Sequence, residues 1–272
     1  MPRFITYILS FLKEIYQKKF LIIELTKRDF KQQFMGSFLG LVWAFLQPIA
    51  FLGILWVIFT FGFKSGKLGD GTPFLAFLFT GLVAWDLFSR VWLGSTGMIF
   101  EYSFLVKKIN FRLSILPVVK IFSNLIMHII FISIVIVVLI VNKIYPSIYW
   151  LQVVYYIICS SMLVLGLSWI SSALNVFIKD VGQLIQIIVQ FGFWLTPIIW
   201  DPASFPKKYS IFIKMNPAWY LVDGYRRSFI YKTPFWKGNV NETIYFWGVT
   251  LIFLLLGMIV FKKLRPHFAD VI

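Results

Sequence analysis

Acidic residues, cysteine and histidine are all scarce in this chain of 272 residues. Only 11 Asp and Glu stand against 26 Lys and Arg, and charged residues of both signs make up 14% of the total. A soluble domain is nearer a quarter charged. The lone cysteine, Cys159, lies in an apolar block; it forms no internal disulfide and no CxxC pair, and reads as a small buried hydrophobe. Two histidines, His128 and His267, furnish no HExxH motif, and no paired carboxylates or Ser/His/Asp set can be assembled. No catalytic residue, metal site or cofactor is therefore expected. The nearest approach to a phosphate loop, GFKSGKL at Gly62–Leu68, has one residue too few between its glycines and Leu where Ser or Thr is required. An ATP site within the chain is excluded on that ground.

What the chain has in abundance is apolar residues, at 60%, gathered into uninterrupted blocks. A bilayer's hydrocarbon layer takes about 20 helical residues to cross. Six blocks approach or exceed that length: Leu39–Phe63, Phe74–Trp92, Ile121–Val141, Tyr149–Phe177, Val181–Trp200 and Thr243–Phe261. The first begins too late and runs too long for the core of a cleavable signal. An all-α integral membrane fold with six spans is expected, with residues 39–272 as the membrane domain and 1–38 as a separate N-terminal segment. Net charge is +15, but the cations flank the apolar blocks and form no stripe, so membrane lipid is the expected partner and nucleic acid is not. Around the first three spans the bias is clear. Seven Lys and Arg before Leu39 and four between Lys107 and Lys120 oppose only Lys64 and Lys67. Cations collect on the cytoplasmic side, which places both termini inside.

Three segments outside the spans have character. Phe4, Ile8, Phe11, Leu12 and Ile15 repeat at helical spacing among lysines, the pattern of an amphipathic helix lying in a headgroup layer. Residues 101–116 form a short basic loop in which Phe104, Leu105, Ile109 and Phe111 are apolar anchors beside Lys107 and Lys108. Such a loop suits a docking hot spot, or alternatively a headgroup contact. Residues 201–242 are too long for a simple connector and too aromatic for a solvated one. Short re-entrant or surface helices broken at Asn216-Pro217 and an interfacial aromatic belt both fit.

Within the blocks, Trp56, Phe59 and Phe63 recur along one helical face of the first, as do Trp85, Phe88 and Trp92 in the second; Phe191 and Trp194 add a pair in the fifth. Such rows pack, face lipid, or offer flat rings to a sugar. Asp86 and Arg90 share a face and can pair, either internally or on a hydrated path. Gly36 and Gly40 have the spacing that permits close helix approach. Pro48 and Pro197 each remove a backbone donor and are expected to kink or break their spans.

Three stretches, taken in order, carry a resemblance. GSFLGLVWAFLQPI (Gly36–Ile49), FIKDVGQLIQIIVQFGFWLTPIIW (Phe177–Trp200) and NPAWYLVDGYRRSF (Asn216–Phe229) resemble the permease subunits of bacterial type-2 ABC exporters for O-antigen, capsule and teichoic acid. The resemblance runs over nearly the whole chain. It implies a six-span subunit of the bacterial cytoplasmic membrane with an amphipathic N-terminal interface helix and short outer helices after the fifth span. It also implies a homodimer carrying two copies of a separate cytoplasmic ATP-binding subunit. One departure is the loop KKINFRLSILP (Lys107–Pro117), which lacks a proline expected near Phe111.

On that reading the substrate is a lipid-linked glycan. Its path would run along Trp56, Phe59, Phe63, Trp85, Phe88, Trp92, Phe191 and Trp194. Arg226 and Arg227, with Lys207 and Lys208 as further candidates, would meet the lipid pyrophosphate or form an external gate. Phe104, Leu105, Lys107, Lys108, Ile109 and Phe111 would couple to the ATPase. Export of small hydrophobic molecules by the same fold, an enzyme acting on lipid-linked sugars, and a channel-forming oligomer are the competing readings.

Overall fold

A computed structural model describes residues 10–11, 13–106, 112–237 and 240–272, without the side chains of Val106 and Lys207. Phe4, Ile8 and Leu12 of the amphipathic repeat, and Lys107, Lys108, Ile109 and Phe111 of the loop, lie outside the described residues. Among those described the fold is all helical, with one isolated bridge between Lys67 and Pro73.

Nine helices organise the described residues. They are α1 (Lys19–Gln32), α2 (Trp43–Val57), α3 (Phe74–Thr96), α4 (Leu116–Val141), α5 (Gln152–Phe177), α6 (Asp180–Leu195), α7 (Ser210–Met215), α8 (Pro217–Arg226) and α9 (Val240–Leu264). Single turns at Met98–Glu101, Ser103–Val106 and Phe268–Val271 join or end them. Among the described residues, five segments are long and apolar enough to cross a membrane: Gly40–Gly62, Phe74–Thr96, Leu113–Val141, Ile148–Phe177 and Val240–Val271. The apolar block Val181–Trp200 behaves differently. Its helix, α6, has 16 residues and stops at Leu195. Thr196 turns extended, at φ −83° and ψ 130°, because a residue before proline is pushed out of the helical region. Pro48, by contrast, sits within α2 and does not interrupt it.

α3 occupies the centre, touching α4, α5, α6 and α8. α5 and α9 make the closest pair: a Cβ on Gly166 would lie 2.6 Å from the Phe253 carbonyl carbon, and one on Gly257 would lie 2.5 Å from the Gly166 oxygen. These are the small residues that let two spans approach. Gly36 and Gly40, expected in that role, do something else. Both take positive φ, 81° and 50°, with nothing within 4 Å of a Cβ, so they shape the turn from α1 into the first span.

The connections sort to two ends of the bundle. α1, the turns after α3, the α5–α6 junction and the C-terminus share one end, where Phe268 packs on Phe177 and Phe261. The loop after the first span, the α4–α5 connection and residues 196–237 share the other. There Trp150 donates to the Phe229 carbonyl, and Gln152 binds the Thr233 carbonyl and the Phe235 amide.

Candidate functional site

An open cavity of about 860 Å³ is bounded by α6, the chain after its break, and α7. α6 buries only Ile185 and Val189, leaving Ile187, Ile188, Phe191, Trp194 and Leu195 on the surface. Trp200 closes the turn by donating its indole N–H to the Trp194 carbonyl at 3.0 Å. Phe205, Tyr209 and Phe212 continue the aromatic wall. Apolar and aromatic side chains supply nearly all of it, with Asn216 at one edge. A wall of rings without charge offers many weak, sequence-tolerant contacts.

Asn216 fixes this geometry twice. Its amide N–H donates to Thr196 Oγ1 at 2.7 Å, tying the broken end of α6 to the start of α8. Its Oδ1 accepts from the Ala218 amide at 3.0 Å, capping α8 over Pro217 at the first helical position. Arg226, at the far end of α8, secures the other side of the break. It is 1% exposed; its Nη2 donates to the Ile198 carbonyl at 3.0 Å and its Nε to the Phe77 carbonyl at 3.2 Å. The guanidinium lies 3.3 Å from the centroid of the Phe77 ring. Gly81 makes the room, since a Cβ there would come within 2.7 Å of Nη2. A cation held by carbonyls and a ring face is the economical solution where water is excluded.

Arg227 points elsewhere. It pairs with Asp223 and, at 3.3 Å, with Glu242, which also holds Lys214 at 2.9 Å. Lys208 stands over the Tyr209 ring. Of the two arginines expected to meet a lipid pyrophosphate, one is therefore enclosed and the other sits in an ion-pair network joining α7, α8 and α9.

At the opposite end, α1 is fastened by a cluster in which Asp29, Tyr102 and Lys120 are buried and Glu101 is half exposed. Lys120 Nζ lies 2.7 Å from Asp29 and 2.6 Å from Glu101, and the Tyr102 hydroxyl donates to Asp29 at 3.0 Å. Burial, reinforced by the Asp29 charge beside it, raises the Tyr102 phenol well above its ordinary value. Arg112 reaches across to Glu14 at 3.0 Å. Burial opposes ionisation of Glu14, but hydrogen bonds from Lys18 and Arg112 prevail and hold its carboxyl below the usual range. Next to this cluster Phe104 is exposed, with the Arg28 guanidinium 5.0 Å from its ring, while Leu105 is buried.

Residues 21–230 match the family described as ABC-2 type transporter. The chain belongs to that family. Two Klebsiella pneumoniae proteins named O-antigen export system permease protein RfbA are each 26% identical to it over 260 residues, covering 93% of this chain and 95% of the relative. A Myxococcus xanthus protein of the same name is 25% identical over 263 residues, covering 95% and 97%. The ABC-2 fold thus accounts for a multi-pass transport subunit.

Within this ABC-2 chain the aromatic rows separate. Trp56 and Phe63 of the first span are exposed, at 46% and 70%, as are Phe191 and Trp194 of α6. Phe59 is half-buried, stacked on Phe63 and tilted on Phe74. Trp85, Phe88 and Trp92 are buried inside the subunit, each against the next, and Trp85 also meets Phe193 and the bare face of Gly192. Asp86 and Arg90 form a bidentate pair at 2.7 and 3.1 Å beside a polar crevice of about 440 Å³ that also includes Gln33 and Gln47. His128 is buried, with Nε2 2.8 Å from the Tyr225 hydroxyl. Sequence reasoning missed the Asp29–Lys120 cluster, because Lys120 reads as one more flanking cation. It also missed the rings Tyr209, just before α7, and Phe212, within it, whose spacing shows no long helical repeat.

Proposed function

We propose that the chain is the membrane-spanning subunit of an exporter that moves lipid-linked polysaccharide, with ATP hydrolysed in separate cytoplasmic subunits. The observation that carries this reading is the end-to-end match to relatives named for O-antigen export, over 93% or more of this chain. The open aromatic wall of α6 and α7 supports it, because a long glycan needs a sliding surface that binds loosely enough to let go.

The arrangement that follows has two copies of this chain and two ATP-binding subunits. Each copy crosses the membrane six times, α6 with its broken end supplying the sixth crossing, and both termini are cytoplasmic. α7 and α8 then dip back from the external face, which brings the Tyr225 hydroxyl to His128 in mid-span. The glycan path runs between copies along Trp56, Phe59, Phe63, Phe191 and Trp194, with Trp85, Phe88 and Trp92 stiffening the wall from behind. Arg226 and Arg227 hold the external gate in shape. The ATPase docks on Phe104 and the basic loop that follows, and the Lys120–Asp29–Glu101 cluster carries its movement into α1 and α4.

The test is a strain lacking this chain, scored for surface glycan by immunoblot and for lipid-linked glycan in the cytoplasmic fraction. Surface glycan is expected to vanish, intracellular glycan to accumulate, and both to revert with the intact chain. Unchanged surface glycan in the deletion strain overturns the reading, and loss of efflux of small hydrophobic dyes alone would favour the small-molecule alternative.

A further inference from the structure

Between α1 and α4 runs a crevice of about 470 Å³, lined by Ile15, Ile22, Ile23, Phe122 and Ile126, with Lys19, Thr26 and Lys27 along it. It shares Ile15 and Phe122 with a second apolar groove of about 540 Å³ that continues over Leu125, Ile158, Met162 and Met258. From the geometry we infer that this composite groove is a binding site for an anionic glycerophospholipid, its acyl chains along the spans and its headgroup at Lys19 and Lys27. The site lies outside the α6–α7 cavity and does not depend on what the transporter carries.

Three observations select that occupant. First, the groove is long and almost wholly apolar, which suits hydrocarbon chains and no polar solute. Second, among the described residues its only charged lining residues are two lysines, both on α1. Lys19 lies over the Tyr16 and Phe20 rings at 5.0 and 5.3 Å, and Lys27 makes an exposed pair with Glu24. An exposed pair is weak and leaves the ammonium available, and each lysine near a membrane surface adds attraction for anionic headgroups. Third, Thr26 stands in the wall between the two lysines, 9% exposed, with its Oγ1 buried and lacking any hydrogen-bond partner. A helical threonine has two accessible χ1 wells, and the proposed site uses the one that presents this hydroxyl to the crevice. An acyl ester carbonyl or phosphate oxygen entering there gives it the partner that a buried donor needs. An apolar groove ending in two cations and one unsatisfied hydroxyl matches the anatomy of a single phospholipid.

The experiment is native mass spectrometry of the full chain in detergent, titrated with phosphatidylglycerol or phosphatidylcholine of identical acyl chains. One phosphatidylglycerol per subunit is expected to be retained at concentrations on the order of tenfold lower than phosphatidylcholine. The Lys19→Gln/Lys27→Gln variant is expected to abolish that preference, since both side chains are exposed and their loss leaves the fold intact. Thr26→Val, which keeps the shape, is expected to weaken phosphatidylglycerol retention severalfold without lowering the melting temperature of the lipid-free protein. Equal retention of the two lipids by the unmodified chain reduces the groove to ordinary annular contact and overturns the proposal. So does unchanged selectivity in the double lysine variant. A polyprenyl pyrophosphate that displaces phosphatidylglycerol at equal concentration would assign the groove to the carrier lipid instead. Conversion of the dimer to monomer by Ile126→Trp would assign it to a second copy of the chain.

Discussion

Gly40–Gly62 and Phe74–Thr96 are equally long, at 23 residues each, and both repeat large aromatic rings along one helical face. Of the most apolar 18-residue stretch in each, 11% is buried in the first and 72% in the second. The more buried of the two is also the less apolar. α3 can bury Thr80 and Thr96 because Thr80 bonds back to the Ala76 carbonyl and Thr96 to the Trp92 carbonyl and Ser171. Its glycine and its neighbour's, Gly81 and Gly192, admit Arg226 and Trp85. The first span has no comparable polar set and meets mainly α4. What assigns a ring to packing or to a surface is thus the small and bonded polar residues around it, while the spacing of the rings is the same in both.

That contrast breaks most sharply at Trp85. Trp85→Ala is expected to cost about 3 kcal/mol or more, as for other large buried aromatics. The loss should appear as the deepest fall in melting temperature in detergent and in reduced membrane yield. A melting curve like that of the unmodified chain would place Trp85 on a surface and cancel the contrast. Gly192→Val comes next, at roughly 1–3 kcal/mol of overpacking, because its Cβ would meet the Trp85 ring at 2.9 Å. Trp85→Phe should recover part of that loss in the double variant. Additive losses would mean the two residues do not share a contact.

Trp56→Ala and Phe63→Ala sharpen the other side. Each is expected to move subunit stability by under about 0.5 kcal/mol, as exposed positions do. The combined Leu variant at Trp56, Phe63, Phe191 and Trp194 is expected to keep its melting temperature and lose most surface glycan. Full glycan from that variant would show these rings to be lipid-facing. An effect of the opposite sign concerns the end of the first span, where Lys64 sits at φ 51°. Lys64→Gly is expected to raise stability by up to about 1 kcal/mol, since only glycine takes that conformation freely. A fall in melting temperature would mean the lysine side chain makes a contact worth more than the strain.

Much of this was legible from the chain alone, for reasons that particular residues make plain. Apolar blocks announce spans because a bilayer admits little else, and Asn216-Pro217 announces a helix start because both residues have a cap role. Thr196 and Pro197 were legible as a break, but not that it would end α6 four turns in and convert the rest of the block into a wall. Gly36 and Gly40 have the spacing of a packing motif and the backbone of a turn, which spacing cannot distinguish. Asp29, Glu101 and Lys120 meet only when three elements are folded together, so no local pattern reports them. Arg226 and Arg227 are neighbours in sequence with opposite environments, one enclosed by Phe77 and Ile198 and the other netted by Asp223 and Glu242.

The enclosure of Arg226 bears on how the protein is made. Both carbonyls that accept from its guanidinium, on Phe77 and Ile198, belong to residues synthesised before it. The receptacle therefore exists by the time the charge emerges, and the arginine can leave water directly into a finished seat without crossing lipid unpaired. Reversing that order of synthesis, by a circular permutation opened between Ile198 and α8, would deliver the cation ahead of both carbonyls. Such a chain should stall during insertion and be degraded, even though its final contacts would be identical.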